Sequence, residues 1–245
     1  RSTLMRSSAA SDVYKRQLVD FFGVDAVRYF VLHEMPFEND GVISWELMVE
    51  RMNSDLANIL GNLVNRTISM SNKYFGGEVR NGGASDVVDE DLKNVALASV
   101  KKAESKMNEL RVADAITEIF NIFRRCNKYI DETMPWALAK DEAQKDRLAT
   151  VLYNLVEAIT IGASLLESFM PDTSRKILAQ LHAQKRALSE MDQLGLYPSG
   201  EHVTDAPEIL FARMDLKEVM EKVEAMRAAA VSYTHLRAHE TVLDL

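Results

Sequence analysis

The pattern of hydrophobic and polar positions predicts a chain built almost entirely of helices. The clearest stretch is MNSDLANILGNLVNRTISMSNKY, residues 52–74, where apolar side chains recur at spacings of three and four. On a helix these positions form one stripe: Leu56, Leu60, Leu63, Thr67, Met70 and Tyr74. The opposite side is polar: Asn58, Asn62, Asn65, Arg66, Ser69 and Lys73. We therefore predict an amphipathic helix whose wet face is rich in amides and cations.

The same periodicity predicts helices along most of the chain. They are expected over Leu18 to Glu34 with a break at Gly23, from Trp45 onward, and over Asp89 to Met107, Val112 to Ile130, Leu148 to Phe169, Asp172 to Leu181, and Asp215 to Ala230. Gly61 either bends its helix or marks where two helical segments meet. The glycines of residues 76–83 are interpreted as turns, and no alternating run is long enough to predict a strand. The predicted fold is all-α, an antiparallel helix bundle.

Composition places the chain among globular proteins. Its 245 residues are 47% hydrophobic, which is enough for a packed core. No apolar run approaches the roughly 18 to 20 residues that span a bilayer, and the N-terminus lacks the apolar core of a signal peptide. We therefore expect a cytoplasmic protein with no membrane partner. Cys126 is the single cysteine and lies in an apolar periodic run, so we interpret it as a buried structural thiol.

The charge argues against bulk binding to nucleic acid but permits a local site. The formal net charge is −8, whereas proteins that coat DNA or RNA carry a positive surface. We therefore expect no DNA partner. Arg124, Arg125 and Lys128 nevertheless lie together in NIFRRCNK, a stretch without an acid. This cluster could contact phosphates, although a charge cluster is usually a solvated face.

Candidate catalytic and metal-binding residues are not found in the sequence. Three histidines lie in the helical part of the chain, at His33, His182 and His202, without a motif around them. The acids Asp89, Glu90 and Asp91 are interpreted as helix-start charges, with Asp89 as the cap. We expect no catalytic residue, no metal site and no cofactor in this chain.

Recognition is the chemistry that the remaining residues favour. Asn62 and Arg66 are four apart, so an amide and a planar cationic fork are neighbours on the wet face. That pair can read a base edge, although from this stretch alone a solvated helix face is the commoner interpretation. Trp136 follows Pro135 at the end of a helix, where an indole can project. Tryptophan at such a position is more often partly buried than available to a ligand. An exposed aromatic ring together with polar side chains such as those of Asn62 and Arg66 is, however, the combination that recognises single-stranded RNA.

Four stretches together resemble the C-terminal region of bacterial methionyl-tRNA synthetases, which are class I aminoacyl-tRNA synthetases. They are GVDAVRYF from Gly23, NSDLANILGNLVNR from Asn53, NKYIDETMPWALAK from Asn127 and FMPDTSRKIL from Phe169. The resemblance covers about residues 18 to 230. The element Asp25 to Arg28 is shared widely among class I synthetases, whereas Asn62 to Arg66 combined with Pro135-Trp136 is much more specific to the methionine enzyme.

The resemblance implies a fold, a function and roles for residues. The fold would be the helix bundle of the class I anticodon-binding type, and the function would be recognition of the CAU anticodon of methionine tRNA. Trp136 would stack on the wobble cytosine while Asn62 and Arg66 hydrogen-bond anticodon bases. Four further cations would contact the tRNA backbone: Lys73, Arg124, Arg125 and Lys128.

The resemblance also divides the chain and implies a missing partner. Residues 18–43 would end the stem-contact region, 44–190 form the anticodon-binding bundle, and 191–230 form a return segment and a last helix. The catalytic domain, which binds ATP and Mg²⁺ and attaches methionine, should lie before Leu18, and its signature motifs are absent from this sequence. In the return segment ILFARMD, Ala212 stands where the family usually has proline.

The two ends of the chain differ from the rest. Residues 1–17 and 231–245 resemble translated sequencing-adapter sequence, and we interpret both as non-native tails. Two alternative functions stay open. The first is the anticodon-binding domain of another class I synthetase, and the second is a helical interaction module with no RNA role. In the second case Asn62, Arg66 and Trp136 would face the core or a protein partner.

Overall fold

In the computed structural model, which describes residues 16–35 and 43–226, nearly all regular structure is helical. Helix α1 covers residues 16–22 and α10 covers residues 216–226. Between them lie α2 (Val24–Glu34), α3 (Trp45–Arg51), a π-helical segment (Met52–Gly61), α4 (Asn62–Phe75), α5 (Val87–Asn108), α6 (Val112–Thr133), α7 (Pro135–Leu138), α8 (Lys145–Leu166) and α9 (Pro171–Gln180). Single 3₁₀ turns occur at Glu142–Gln144 and Leu188–Glu190. The all-α prediction is confirmed, whereas the two predicted non-native tails lie almost wholly outside the described residues.

Two very short strands are the exception to the helical pattern. Strand β1 (Glu78–Val79) pairs antiparallel with β2 (Glu201–His202), with Glu78 opposite His202. The chain reaches β1 because Gly76 and Gly77 both adopt positive φ angles, 61° and 91°, which end α4 in a tight turn. Strands of two residues leave no alternating pattern in the sequence, so the periodicity could not predict them.

Helix α8 is the centre of the core. From Leu148 to Ser164 every one of its side chains is buried, since α4, α5, α6 and α9 all pack against it. A helix that is apolar on all sides is a buried core helix or a membrane span. In the described part of the chain, Glu142–Leu166 is long and apolar enough to span a bilayer, so the statement that no apolar run approaches that length was wrong, but 89% of its apolar window is buried against protein. It is therefore the central helix of the bundle.

Close packing in the core depends on small residues. A Cβ placed on Gly162 of α8 would lie 2.5 Å from the Phe123 ring of α6. Phe123 is fully buried, so its ring has little room to move. Cys126 of α6 is also buried, as predicted, and burial raises the pKa of its thiol to about 12. The thiol therefore stays protonated and packs as a small apolar group.

The carboxylate of Asp89 connects three helices. Its oxygens accept hydrogen bonds from the Tyr129 hydroxyl of α6 (2.6 Å) and from both terminal nitrogens of Arg147 of α8 (2.7 and 2.8 Å). It also accepts from the backbone N–H of Asp86 (3.0 Å). The prediction that Asp89 caps α5 was wrong, because Asp86 is the N-cap and Asp89 is the third helical residue of a capping box. That position points the carboxylate into the bundle.

The return segment crosses the π-helical segment in an extended conformation. Asn53 holds it through both backbone groups of one residue: its side-chain nitrogen donates to the Met214 carbonyl (2.8 Å), and its oxygen accepts from the Met214 N–H (2.9 Å). The π-helical segment ends at Gly61 and α4 begins at Asn62, so of the two alternatives predicted for Gly61 the structure shows the junction of two helical segments. A Cβ on Gly61 would face the backbone of Phe211 at 3.8 Å. The return segment thus lies against the end of the π-helical segment.

Replacement of Asp89 by alanine is expected to destabilise the bundle by on the order of 3 kcal/mol, because the guanidinium of Arg147 would lose its partner in a mostly buried position. The matched control is Glu90→Ala, one residue away, where an exposed ion pair with Lys93 is lost and a change within about 0.5 kcal/mol is expected. Urea unfolding followed by circular dichroism measures both. Equal midpoints for the two variants would contradict the role of Asp89.

Candidate nucleic-acid interface

Asn62 and Arg66 lie together in a surface groove, as their spacing predicted. The groove runs between α6 and the junction of the π-helical segment with α4. We call it the first groove, and its lining residues are Asn58, Ile59, Asn62, Arg66, Arg124, Asn127 and Asp131. Asn62 and Arg124 are exposed, and Arg66 is half-buried. The groove therefore offers two guanidinium groups and three amides to a ligand.

Hydrogen bonds hold the walls of the first groove together. The side-chain nitrogen of Asn127 donates to the Ile59 carbonyl (2.9 Å) and to the Phe123 carbonyl (3.0 Å), which ties α6 to the π-helical segment. Arg124 donates to the Asn121 side chain at 3.0 Å, within its own helix. These contacts give the two walls a defined separation.

Arg66 is loosely held. A terminal nitrogen of its guanidinium lies 3.9 Å from an oxygen of Asp131, whose side chain is exposed. An exposed pair at that distance contributes little free energy. The guanidinium of Arg66 can therefore leave Asp131 and bind a ligand at a small cost in free energy. Without a ligand, Asp131 keeps the guanidinium inside the groove.

Trp136 projects from the end of α6. Helix α6 ends at Thr133, and Met134 adopts a left-handed conformation with φ 44°. Pro135, which is buried, then starts the short helix α7, and the indole of Trp136 is 43% exposed. The expectation of a projecting indole is confirmed. The reason is the sharp turn at Met134, which redirects the chain at the end of the helix.

The structure joins some predicted residues and separates others. Trp136 does not line the first groove, but it follows Asp131 of that groove by five residues, so it lies beyond the same end of α6. Lys73 is exposed on α4, two turns after Arg66, and lies 5.2 Å from the ring centre of Tyr74. Lys128 is exposed and pairs with Glu132 at 3.4 Å. Neither Lys73 nor Lys128 lines the first groove.

Arg125 departs from the expected exposed cluster. Its side chain is only 7% exposed and forms ion pairs with Asp91 of α5 (2.6 Å) and Glu132 (2.9 Å). Successive residues of a helix point about 100° apart, so Arg124 faces the groove while Arg125 faces α5. Asp91 is thus a partner of Arg125 rather than a helix-start charge. The basic cluster of the sequence is therefore divided: Arg124 and Lys128 lie on the surface, and Arg125 lies in the contact between α6 and α5.

A second groove lies beside the first and was not predicted. Its lining residues are Ala57, Asn58, Gly61, Asn62, Asn65, Ile209, Phe211 and Arg213. The two grooves share Asn58 and Asn62. The amides of this groove belong to the polar face that the periodicity indicated, but Phe211 and Arg213 come from the return segment. Nothing in local spacing relates that segment to α4.

In residues 16–35 and 43–226 the structure brings together no group of three or more His, Cys, Asp or Glu side chains able to hold a metal ion. The polar groups of the two grooves are amides, guanidinium groups and the carboxylate of Asp131.

Comparisons with family models match the chain in two parts. Residues 79–230 match the model described as the anticodon binding domain of methionyl tRNA ligase. Residues 2–68 match the model of class I tRNA synthetases (M). The first match covers more than half of the chain.

Curated relatives and solved structures are also similar to the chain. A methionine–tRNA ligase of Caldanaerobacter subterraneus subsp. tengcongensis is 45% identical over 221 residues, which cover 90% of this chain and 34% of that protein. The Clostridium perfringens methionine–tRNA ligase is 41% identical over 87% of this chain and 33% of that protein. Apo methionyl-tRNA synthetase of Mycobacterium tuberculosis superposes with a TM-score of 0.74 at 34% identity, over 81% of this chain and 40% of that one. The chain spans about a third of the length of these curated relatives.

The division between Arg124 and Arg125 predicts different effects on stability. Arg125→Ala should destabilise the bundle by about 1–3 kcal/mol, because it removes buried packing and charge-assisted hydrogen bonds to α5. Arg124→Ala, its matched neighbour on the exposed side, should change stability by less than about 0.5 kcal/mol. Thermal unfolding of both variants measures this difference. An equally small effect for Arg125 would mean that its ion pairs contribute nothing to the fold.

Proposed function

Since the chain belongs to the family of anticodon-binding domains of methionyl-tRNA ligases, we propose that it selects methionine tRNA by reading the CAU anticodon with the first groove and Trp136. One observation carries the proposal: an amide and a guanidinium share an open groove on α6, the helix that ends three residues before the exposed Trp136. Single-stranded RNA is recognised by unstacking its bases, stacking them on aromatic side chains and hydrogen-bonding their edges.

The chemistry of the groove fits cytosine. Cytosine presents an amino donor beside ring acceptors, and the Asn62 amide has both an acceptor and donors. The guanidinium of Arg66 has donors only, so it matches the ring acceptors of cytosine and cannot match the N–H that uracil carries there. Trp136 supplies the stacking surface, which offsets the cost of pulling the base out of the loop. Together these groups would discriminate the wobble position.

Cations around the groove would hold the phosphates of the loop. Lys73, Arg124 and Lys128 are exposed and lie on α4 and α6, the two helices that form the groove. We leave Arg125 out of the proposal because it is buried and bonded to Asp91. The chain carries a net charge of −8, so these three cations would attract RNA locally, and the protein as a whole would not.

We propose that this chain is one part of a larger enzyme. The relatives are methionine–tRNA ligases, and one solved neighbour is a complex with methionyl-adenylate. We propose that a catalytic domain of the same enzyme binds ATP and Mg²⁺ and attaches methionine, while this part selects the tRNA in the cytoplasm. We propose that residues 18–43 end the stem-contact region, that 44–190 form the anticodon-binding bundle, and that 191–230 form the return segment and last helix.

The alternatives receive less support. If the chain came from a class I synthetase for another amino acid, its relatives should be enzymes for that amino acid. The matching family models and the relatives named above are instead those of methionine enzymes. A helical interaction module without an RNA role would place Asn62, Arg66 and Trp136 in the core or against a protein. Asn62 and Trp136 are exposed.

Replacement of Trp136 by alanine is expected to weaken binding of the 245-residue chain to a CAU anticodon stem-loop by about 1–3 kcal/mol, the value of one base–aromatic stack. Trp136→Phe, which keeps an aromatic face, should recover a large part of that loss. Fluorescence anisotropy with a labelled stem-loop measures binding, and circular dichroism checks the fold. Unchanged affinity in a folded Trp136→Ala variant would remove Trp136 from the site.

Changing the wobble cytosine to uracil should weaken binding by about 1–3 kcal/mol, because the donors of Arg66 would then face a ring N–H. Arg66→Lys, which keeps the charge and loses the fork, should bind the two loops almost equally. The salt dependence of the affinity measures the phosphate contacts, which do not depend on the base. Arg124→Gln should reduce the slope of log affinity against log salt by about 0.7 for every loop sequence. Binding that ignores the wobble base in the wild-type chain would contradict the proposed reader.

A further inference from the structure

We propose that a cavity between α5, α8 and the loop before Tyr197 binds a small aromatic carboxylate that carries a hydrogen-bond donor. We call it the inner cavity, and its residues line neither of the two grooves. Its volume is about 170 Å³. Pockets for drug-sized molecules measure roughly 300 to 1,000 Å³, so the occupant should be smaller than a drug. The polar lining residues are Asn81, Lys93, Asn154 and Glu157.

The amide oxygen of Asn154 offers an acceptor in the lining of the inner cavity. The residue is only 8% exposed. The Tyr129 hydroxyl gives its proton to Asp89 (2.6 Å), so it must accept the hydrogen bond that joins it to the Asn154 amide (3.3 Å). This bond uses the nitrogen of Asn154 and turns the oxygen away from Tyr129. No described residue donates to that oxygen, and a ligand with an N–H or O–H group would satisfy it.

Lys93 supplies a positive charge to the same lining. Its ammonium group lies 2.9 Å from the carboxylate of Glu90, which is exposed. An exposed pair contributes little free energy, so Lys93 can turn to an anionic ligand at small cost. Glu157 also lines the cavity, but both of its oxygens accept from Arg186 (2.8 and 2.7 Å), which neutralises its charge. The lining therefore favours a negatively charged group beside Lys93.

The rest of the inner cavity has apolar walls. Tyr153 contributes an aromatic ring. Its hydroxyl donates to the Tyr197 carbonyl (2.8 Å), and burial raises the pKa of Tyr153 to about 12, so this wall stays uncharged. The other apolar side chains of the lining are Leu92, Ala96, Ala158 and Leu194. Aromatic rings pack well against such surfaces, so the walls suit a flat ring.

The loop that closes the inner cavity is held on both sides of Gly195. Arg186 donates to the Gln193 carbonyl (2.8 Å), and the Tyr197 N–H donates to Glu157. The ion pair of Arg186 with Glu157 is itself buried, with 4% of each side chain exposed. The cavity is therefore pre-formed, which lowers the entropic cost of binding a ligand.

The depths of the two polar groups set the order of the parts along the ligand. Asn154 is buried, whereas Lys93 is half-buried. The donor would therefore enter first and meet the Asn154 oxygen, the ring would lie beside Tyr153, and the carboxylate would stay near Lys93 at the mouth. 4-Aminobenzoate has these three parts in this order. Benzoate lacks the donor and aniline lacks the carboxylate, so these two compounds are its matched controls.

The test titrates 4-aminobenzoate into the isotope-labelled 245-residue chain and follows the side-chain amide signal of Asn154 by NMR. Ala96→Leu fills the cavity from α5, and Ala98→Leu makes the same change at an exposed position of that helix. Lys93→Met removes the charge and keeps the aliphatic stem. Lys102→Met, at an exposed lysine outside the cavity, is its control. Circular dichroism checks that each variant is folded.

We expect 4-aminobenzoate to shift the Asn154 signal to a saturating value. Benzoate and aniline should each bind about 2- to 10-fold more weakly, the range for loss of one hydrogen bond. Lys93→Met should weaken binding of 4-aminobenzoate by about 2- to 5-fold and leave aniline unchanged, because aniline has no carboxylate. Ala96→Leu should abolish binding, whereas Ala98→Leu and Lys102→Met should bind like the wild-type chain.

Two results would overturn the inference. If 4-aminobenzoate leaves the Asn154 signal of the folded chain unmoved, the inner cavity does not take this class of ligand. If Ala96→Leu binds 4-aminobenzoate as well as Ala98→Leu does, the compound binds outside the cavity. Both results leave the proposed function untouched, because the experiment contains no RNA and changes no residue of the first groove.

Discussion

The buried carboxylate of Asp89 is the interaction on which the arrangement of the bundle depends. It accepts hydrogen bonds from α5, α6 and α8 at once, and its partner Arg147 neutralises it in a region with little water. Burial raises the pKa of Tyr129 well above its usual range, so its hydroxyl stays protonated and donates to Asp89. Three long helices therefore meet in one relative position. That position determines where α6 presents Arg124 and Asn127.

The candidate interface forms where three segments distant in sequence meet. Asn127 ties α6 to the π-helical segment, and Asn53 ties the return segment to the same stretch from the other side. The π-helical segment is thus held on two flanks, and each flank opens a groove. Gly61 lies at the junction, where a side chain would obstruct the second groove. π-Helical turns are rare and frequently occur at functional sites, and here the turn lies directly before Asn62.

Periodicity predicted a large part of the fold and half of the site. The approximate positions of the helices followed from apolar spacing, with ends displaced by a few residues, as at α5, which starts at Val87 rather than Asp89. The row from Asn58 to Arg66 was identified because polar residues spaced by three and four share a face. The role of Asp89 was missed because an acid at a helix start has the same sequence signal whether it faces water or a neighbouring helix. Arg125 was misplaced for a related reason: a cluster in sequence does not say which member points at which neighbour.

The sequence by itself determined the all-α class, the polar face of α4, the projecting position of Trp136 and the resemblance that names a function. Each of these is a local property, decided by side chains within about two turns of one another. Only the tertiary structure decided that Arg124 and Asn127 face Asn62, that Arg125 is buried, and that Phe211 and Arg213 of the return segment complete a second groove. These are contacts between residues up to 155 positions apart, as between Asn58 and Arg213. They depend on how helices pack, and packing is set by the whole core rather than by any one stretch of chain.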